Sequence, residues 1–221
     1  LLGDAYLKTD QRPLARNAFL FCSSNSSNDS QREVSLYNYA KLSYELGYQD
    51  AALSEFKKFL DKYPRSVYAE DARELLVNVL ANTSNYKEAL SQIEAVRTPS
   101  EQVKKVYPRI LYGRATELIN DGMLVSAYDL LTKAEAYKEQ KSLLPYIYFW
   151  KGEIAYRINK TDDAIRYYQE YLKNNLSTGE VSANNAKYNL AYCYIRKENY
   201  KLALSYLEQL SLTPKAGSAS I

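Results

Sequence analysis

The sequence predicts an all-α fold in which about six helical hairpins stack into a solenoid, and three repeating features support this prediction. The first is a series of alanines at intervals of 37, 37, 38, 37 and 39 residues, namely Ala15, Ala52, Ala89, Ala127, Ala164 and Ala203. The second is a small or compact residue twelve positions before each alanine: Gly3, Ala40, Val77, Ala115, Gly152 and Ala191. The third is a large residue four positions after each alanine: Phe19, Phe56, Ile93, Leu131, Tyr168 and Leu207.

These features have a common physical reason, which is the distance between packed helices. Two antiparallel helices joined by a short turn approach closely only where a side chain on each is small. A large residue one turn later then fills the groove beside the contact. A single hairpin cannot bury its apolar faces alone, so the next hairpin must stack on it, and the array grows as a solenoid.

Each repeat is expected to contain a first helix, a short turn and a second helix. The repeats are placed at residues 1–29, 30–65, 66–97, 98–143, 144–176 and 177–213, followed by a tail at 214–221. Pro13 opens the second helix of the first repeat, at a position where the missing N–H of proline costs nothing. Gly122 supplies the left-handed residue that ends a helix. In the second repeat the first helix ends at Leu46-Gly47, and Pro64 stops the second helix.

Polar residues mark the starts of several first helices. The signals are Ser30 with Glu33, Ser66, Thr98 with Glu101, and Ser177 with Glu180. A Ser or Thr followed three positions later by Glu is a capping box, in which each side chain bonds a free backbone N–H at the helix start. Pro99 is predicted at the first helical position after Thr98. Pro108 lies inside the helix that follows, and a kink or break is expected there.

The pattern resembles the tetratricopeptide repeat. The resemblance is clearest from Tyr37 to Pro64, and again from Trp150-Lys-Gly152 through Ala164 to Tyr171. It implies a right-handed α-α superhelix whose first helices line a concave wall and whose second helices form the outer layer. It also implies a scaffold without catalysis that binds a protein or peptide segment along the concave wall.

The resemblance places a set of aromatic, amide and basic side chains on that wall. The predicted partner-binding residues are Tyr37, Lys41, Tyr44, Asn78, Asn82, Tyr112, Phe149, Tyr156, Arg157, Tyr188, Tyr192 and Arg196, with Glu153 beside them. Tyrosine and arginine often dominate binding energy at interfaces, and asparagine can bond a peptide backbone. The alternative is structural, because tyrosine at helical spacing also packs between helices with its hydroxyl at the surface.

Composition argues against several other classes of function. The chain has no histidine, the commonest general base and zinc ligand. It contains no glycine-rich phosphate loop and no paired spacing of metal ligands, so we expect no enzyme activity, no cofactor and no metal. The net charge of +3 is too small to indicate nucleic acid as partner. No run of 18 apolar residues occurs, so we expect no direct membrane insertion.

Two short phrases, Tyr63 to Ala69 and Phe149 to Tyr156, are similar to bacterial cell-envelope proteins of the tetratricopeptide type. This similarity implies a periplasmic or outer-membrane-associated setting and a part in envelope assembly. The chain begins at Leu1 without a methionine and inside a repeat, so we expect a fragment of a longer protein. Two alternatives stay open: a structural spacer that self-associates, and an accessory module of an enzyme whose active site lies elsewhere.

Overall fold

The structure, a computed structural model, describes residues 2–173 and 181–211. Over these residues it contains helices and no strand, which confirms the all-α fold class. The helices are α1 (Leu2–Lys8), α2 (Arg12–Asn25), α3 (Asp29–Glu45), α4 (Gln49–Lys62), α5 (Ala69–Asn82), α6 (Tyr86–Ala95), α7 (Glu101–Asn120), α8 (Leu124–Glu135), α9 (Leu144–Arg157), α10 (Thr161–Leu172), α11 (Ala183–Arg196) and α12 (Tyr200–Ser211).

The chain divides into two compact units, Leu1–Gly113 and Arg114–Ile221. In unit 1, helices α1 to α6 pack in sequence, and α3 also contacts α5. In unit 2, α8 packs on α9, α9 on α10, α10 on α11 and α11 on α12. First helices α9 and α11 also contact each other directly. The helices follow the predicted alternation of first and second helices, while the assignment of the whole chain to one array stays a prediction.

The ladder alanines lie where the sequence predicted them. All six are buried, and none is more than 3% exposed. The small residues twelve positions earlier are buried as well. Of the large residues four positions after the alanines, only Leu207 of α12 is substantially exposed, at 36%. The close contacts predicted between paired helices are therefore present.

Glycines show how tightly the helices approach. A Cβ on Gly3 would lie 2.7 Å from the ring of Phe19, and a Cβ on Gly152 would lie 3.0 Å from the ring of Tyr168. Each aromatic ring is the large residue that follows a ladder alanine, so it occupies the space left by a missing side chain. A third pair, Gly113 against Tyr86, follows the same logic outside the predicted ladders.

The hairpin turns share one backbone geometry. Five positions before every ladder alanine stands a residue with positive φ: Asp10, Gly47, Ser84, Gly122, Asn159 and Glu198. The N–H of the following residue bonds the carbonyl oxygen five residues back, as Tyr48 does to Ser43 at 2.8 Å and Asn199 does to Tyr194 at 2.9 Å. This pattern is the Schellman motif, which satisfies carbonyl groups left free at a helix end. Gly122 confirms one prediction, and the left-handed conformation at the four non-glycine positions was not predicted.

The predicted helix starts need correction. Asn28, not Ser30, caps α3, because its side chain accepts a hydrogen bond from the Gln31 N–H at 3.1 Å. Ser100, not Thr98, caps α7, accepting from the Val103 N–H at 3.3 Å. Pro99 therefore precedes the cap instead of opening the helix.

Two further starts also differ from the prediction. The hydroxyl of Ser66 accepts from the Tyr68 N–H at 3.1 Å within a turn, and α5 begins only at Ala69. The capping box at Ser177 lies outside the described residues, as does the tail at 214–221. The helix α11 begins at Ala183, and its cap is Ser182, which accepts from the Asn185 N–H at 3.2 Å. Helix α7 runs through Pro108 without a break, and a kink at this position stays a prediction.

Candidate functional site

The tyrosines of α11 form an exposed surface in unit 2. Tyr188 is 49% exposed and Tyr192 is 40% exposed, and their ring centroids are 4.7 Å apart. The Tyr188 hydroxyl donates to the Tyr192 hydroxyl at 3.1 Å. The two residues are four positions apart and therefore share a helix face, whereas Leu190 and Ala191 on the other side are fully buried. The buried residues fix the helix, and the tyrosine rings remain accessible.

Arg196 joins this surface to the end of α9. Its guanidinium lies 3.7 Å from the centroid of the Tyr156 ring, the distance of a cation–π contact. One of its nitrogens, Nη1, donates to the backbone oxygen of Tyr156 at 2.9 Å and to Oδ1 of Asn159 at 3.3 Å. A cation at a helix C-terminus is favoured by the helix dipole. Arg196 is therefore held in place although it is exposed.

A network of hydrogen bonds joins the helices that carry these side chains. The Arg157 Nε donates to Oε1 of Glu153 at 2.8 Å, and the Tyr168 hydroxyl donates to Oε2 of the same carboxylate at 2.9 Å. Asn189 donates to Glu153 Oε2 at 3.2 Å and to the Tyr168 hydroxyl at 2.9 Å. These bonds link α9, α10 and α11. They fix the spacing between the two first helices, because the network joins a carboxylate on α9 to side chains on both other helices.

The titration of two buried groups follows from their surroundings. Burial, together with the nearby Glu153 carboxylate, raises the pKa of Tyr168 well above its ordinary value, so its hydroxyl keeps its proton and remains a donor. Burial raises the pKa of the Cys193 thiol to about 11. The thiol is therefore protonated at neutral pH, and a protonated, buried thiol is a poor nucleophile.

Phe149, by contrast, lies in the core of unit 2. It is only 3% exposed, and its ring centroid lies 5.5 Å from that of Trp150, 5.8 Å from that of Tyr168 and 5.3 Å from that of Tyr171. These contacts are edge-to-face, an arrangement that aromatic rings prefer. Phe149 is therefore not part of the candidate surface. We use the name "tyrosine–arginine surface" for Tyr156, Arg157, Tyr188, Tyr192 and Arg196.

In unit 1 the predicted residues are engaged with one another. Tyr37 is 5% exposed, and its ring stacks on Tyr68 with centroids 4.6 Å apart. Its hydroxyl donates to the Asp71 carboxylate and accepts from Lys41 Nζ at 3.2 Å. Burial and the hydrogen bond to Asp71 raise the pKa of Tyr37. Lys41 and Asp71 also form an ion pair at 3.6 Å. The polar groups of Tyr37, Lys41 and Asp71 bond one another, and the ring of Tyr37 is buried, so Tyr37 belongs to the core.

The remaining predicted residues of unit 1 do not converge on a comparable cluster. Tyr44 is half-buried and packs against the apolar core of the unit. The Asn78 side chain donates to the Glu74 carbonyl of its own helix at 3.1 Å. Asn82 is exposed at the end of α5, and Tyr112 is half-buried in α7. The structure thus groups the predicted residues of unit 2 more closely than those of unit 1.

One polar residue in the core was not predicted. Lys151 is only 3% exposed, and its Nζ pairs with Oε2 of Glu135 at 2.7 Å. The ammonium also lies 4.7 Å from the ring centroid of Tyr128 and 4.9 Å from that of Tyr167. The two tyrosine hydroxyls are hydrogen-bonded to each other at 2.8 Å. A lone lysine in the apolar run of α9 was the available signal, but only the fold shows which groups surround it.

The described residues contain neither a metal-binding cluster nor a membrane-spanning helix. No group of three or more cysteine, aspartate or glutamate side chains there is arranged to hold a metal ion. None of the helices in 2–173 and 181–211 combines the length and the hydropathy needed to cross a membrane.

Comparisons with known proteins identify the repeat. A family model described as "Tetratricopeptide repeat" matches residues 147–219, and a second model of the same description matches residues 34–66. Tetratricopeptide repeats occur in this chain. The second match begins within α3 and includes α4. The first begins in α9 and includes α11, so it contains the tyrosine–arginine surface. No curated protein matches the sequence significantly.

Solved structures share the tetratricopeptide fold. YrrB, a tetratricopeptide protein with an unusual peptide-binding site, is 22% identical over 85% of this chain and 91% of its own, with a TM-score of 0.55. A MamA structure designated AMB-1 is 13% identical over 86% of this chain and 96% of its own, with a TM-score of 0.55. A further MamA structure is 14% identical over 82% of this chain and 91% of its own, with a TM-score of 0.52. At these identities the likeness concerns the fold.

Proposed function

We propose that this chain is a non-catalytic scaffold that binds a protein or peptide segment on the faces of its first helices, with the tyrosine–arginine surface as the main contact. The observation that carries the proposal is the exposure of Tyr188 and Tyr192 on a helix whose opposite side is buried. Exposed aromatic rings beside a fixed arginine are the composition of binding hot spots.

Rigidity supports the same proposal. Arg196 is held by Tyr156 and Asn159, and Glu153 is held by three side chains from α9, α10 and α11. A surface that is ordered before binding loses little conformational entropy when a segment docks. The likeness to YrrB, whose structure has a peptide-binding site, agrees with a peptide as ligand.

The setting that we propose is bacterial envelope assembly, with the protein in the periplasm or at the outer membrane. Support comes from the phrases Tyr63 to Ala69 and Phe149 to Tyr156, which are similar to envelope proteins of this repeat type. Fractionation of cells that express the full-length protein tests this setting. Recovery in the cytoplasmic fraction alone would contradict it.

The binding function is tested by selection from a phage-displayed random peptide library on the purified chain, followed by fluorescence anisotropy on the selected peptides. The double variant Tyr188→Ala with Tyr192→Ala is expected to weaken binding at least about tenfold, as loss of a hot spot does. Tyr48→Ala is the matched control, because Tyr48 is 52% exposed and lies in unit 1. Peptides that bind the double variant and the native chain equally would place the site elsewhere.

A second candidate function, self-association, is favoured by α12. Tyr200, Leu204 and Leu207 are 64%, 57% and 36% exposed on this helix. In other repeats the residue equivalent to Leu207 is fully buried, as Phe56 and Tyr168 are. The occupant that we propose for this face is a second copy of the chain.

Light scattering over a concentration series tests self-association. The mass of the native chain is expected to rise with concentration, and Leu204→Glu is expected to abolish the rise. Lys201→Glu on the same helix is the control, because it changes charge at a residue that is already polar and exposed. A constant monomer mass for the native chain would exclude this second function.

A further inference from the structure

Arg196 of the tyrosine–arginine surface carries a positive charge that no carboxylate of the described residues neutralises. Helix α11, from Ala183 to Arg196, contains no aspartate or glutamate, and α9 contains one carboxylate, Glu153. The Glu153 side chain is only 18% exposed and already bonds Arg157, Tyr168 and Asn189. Within the described part of the chain, no carboxylate pairs with Arg196. The guanidinium of Arg196 is therefore available to a carboxylate of an incoming ligand.

The two arginines stand at equivalent places in successive repeats. Arg157 lies five positions after Gly152, and Arg196 lies five positions after Ala191, the paired small residues of the two first helices. Both are exposed, and both lie in the last turn of their helix. Because α9 and α11 contact each other, the two arginines occupy equivalent positions at the ends of neighbouring first helices.

The positions of Tyr188, Tyr192 and Arg196 along α11 determine how far apart the matching residues of a bound peptide lie. Arg196 is four residues from Tyr192 and eight from Tyr188, which corresponds to about 6 Å and 12 Å along the helix axis at 1.5 Å per residue. An extended peptide advances about 3.3 Å per residue. A peptide that lies along α11 would thus place the residue that contacts the tyrosines roughly two to four positions from the residue that contacts the arginine.

We propose that the bound segment is acidic. The side-chain carboxylate of an aspartate or glutamate pairs with Arg196 and Arg157, and an apolar side chain roughly two to four positions away packs on Tyr188 and Tyr192. Arginine binds a planar carboxylate with two parallel hydrogen bonds, and Arg196 has nitrogens beyond the Nη1 that bonds Tyr156 and Asn159. This inference rests on the proposed peptide-binding function and names the chemistry of its ligand.

Single-stranded nucleic acid is the other polyanion that uses arginine with stacked aromatic rings. The charges favour a peptide instead. Unit 2 offers only two arginines on this surface, one of which is bonded to Glu153, and the whole chain has a net charge of +3. Binding along a nucleic-acid backbone requires contacts to several successive phosphates.

The test uses three short fluorescein-labelled peptides of equal length and known sequence. Each has phenylalanines at every fourth position, and the positions between them are glutamate in the first, serine in the second and lysine in the third. By fluorescence anisotropy the glutamate peptide is expected to bind at least about tenfold tighter than the lysine peptide, with the serine peptide between them. The advantage of the glutamate peptide is expected to shrink as salt is added. A labelled oligo-uridine is measured in parallel.

Substitutions test whether the preference for acidic peptides arises from the tyrosine–arginine surface. The pair Arg157→Gln with Arg196→Gln keeps amide donors and is expected to remove most of the difference between the glutamate and lysine peptides. Arg166→Gln on α10 is the control, since the Arg166 side chain is 61% exposed and paired with Asp163 outside this surface. Circular dichroism checks that each variant remains helical.

The outcomes separate this inference from the proposed function. Equal or tighter binding of the lysine peptide, abolished by Tyr188→Ala with Tyr192→Ala, would overturn the acidic ligand and keep the peptide-binding site. Tighter binding of oligo-uridine than of any peptide would overturn both. Failure of every peptide, including those selected from the library, would remove the function on which the inference rests.

Discussion

At the scale of single residues, four of the six hairpin turns in the described chain place a non-glycine residue in the left-handed conformation. Six turns require a left-handed residue, yet only Gly47 and Gly122 are glycine. Glu198 has a φ of 57° and Ser84 a φ of 58°. A left-handed conformation costs a residue with a Cβ roughly 1–2 kcal/mol, which glycine avoids. The cost persists because the turn geometry is set by the helices on both sides.

Glu198→Gly is expected to stabilise the chain by about 0.5–1 kcal/mol, because relief of strain exceeds the added entropy of glycine in the unfolded state. Gly47→Ala is the reciprocal variant: nothing lies within 4 Å of the added Cβ, so only the φ of 82° opposes it. It should destabilise by about 1 kcal/mol. Urea unfolding monitored by circular dichroism measures both. Shifts of the same sign in the two variants would refute strain as the cause.

Lys151 shows how a buried charge is compensated. Glu135 neutralises its ammonium, and Tyr128 and Tyr167 present their ring faces to it. Lys151→Ala is expected to destabilise unit 2 by about 3 kcal/mol, because it removes the stem of the side chain and leaves Glu135 without its partner. Thermal and urea unfolding measure the loss.

The matched variant for Lys151 is methionine, which keeps most of the volume without the charge. Lys151→Met with Glu135→Gln should cost less than Lys151→Ala, since replacing both members of a buried pair avoids an uncompensated charge. If the double variant is the less stable of the two, the charge pair contributes more than the packing. That result would contradict the expectation that an unpaired Glu135 causes most of the loss.

Single residues also mark the limit of sequence reasoning about the site. Tyr37, Phe149 and Tyr188 occupy first helices at similar spacing, and all three were predicted on the binding wall. Tyr37 and Phe149 are buried, whereas Tyr188 is half-exposed. The difference depends on which side chains of neighbouring helices cover each ring, and a periodic pattern does not contain that information.

At the scale of elements, the contact between Gly113 of α7 and Tyr86 of α6 is the tightest of the glycine contacts. A Cβ at Gly113 would lie 2.5 Å from atoms of the Tyr86 ring and 2.6 Å from the ring carbon nearest its backbone. Gly113→Ala is therefore expected to force α6 and α7 apart and to destabilise unit 1 by about 1–3 kcal/mol.

The double variant tests the cause. Adding Tyr86→Ala to Gly113→Ala removes the ring that the new methyl group meets, so the two substitutions together should cost less than the sum of their separate costs. Denaturant midpoints of the native chain, both single variants and the double variant complete the cycle. Additive costs would show that the two residues do not oppose each other.

Helix starts were harder to predict than helix packing. Ser26, Asn28 and Ser30 all stand within a five-residue stretch, and each can accept a hydrogen bond from a backbone N–H. The structure uses Asn28. The choice depends on where the preceding helix ends, since α2 extends to Asn25 and leaves only three residues of linker. The ladders were predictable because they reflect a packing distance that six repeats share.

At the scale of the whole molecule, buried tyrosines and Cys193 make stability depend on pH in the alkaline range. Burial raises the pKa values of Tyr37, Tyr128 and Tyr168 above the ordinary value of 10.0, and that of Cys193 from 9.0 to about 11. Between pH 9 and 11 the folded chain keeps the thiol proton that the unfolded chain releases. Stability must therefore fall as pH rises through this range, and the tyrosines extend the fall above pH 10.

Urea midpoints measured at intervals from neutral to strongly alkaline pH check this expectation. Cys193→Ala removes the thiol and should make the decline between pH 9 and 11 shallower by on the order of 1–2 kcal/mol. Tyrosinate absorbance should show that part of the tyrosine titrates only as the chain unfolds. An unchanged slope in the cysteine variant would contradict the assignment to Cys193.

The whole fold class, by comparison, followed from the sequence with little ambiguity. Alanine, its small partner and its large follower each recur six times, and each describes the same helix–helix contact. The division of the chain into Leu1–Gly113 and Arg114–Ile221 was not anticipated, because the repeating pattern continues through α7 without interruption.

Because the turns share one backbone geometry, a hairpin can be removed or inserted between two of them with the same turn at the junction. The left-handed residue and the ladder alanine keep the same offset at every turn, so a segment cut from Gly47 to just before Ser84 begins and ends at matching points of the main chain. Deleting it would join Leu46 to Ser84 and restore a turn of the same kind. Shortened and lengthened versions of the protein can therefore be made by splicing at these joints.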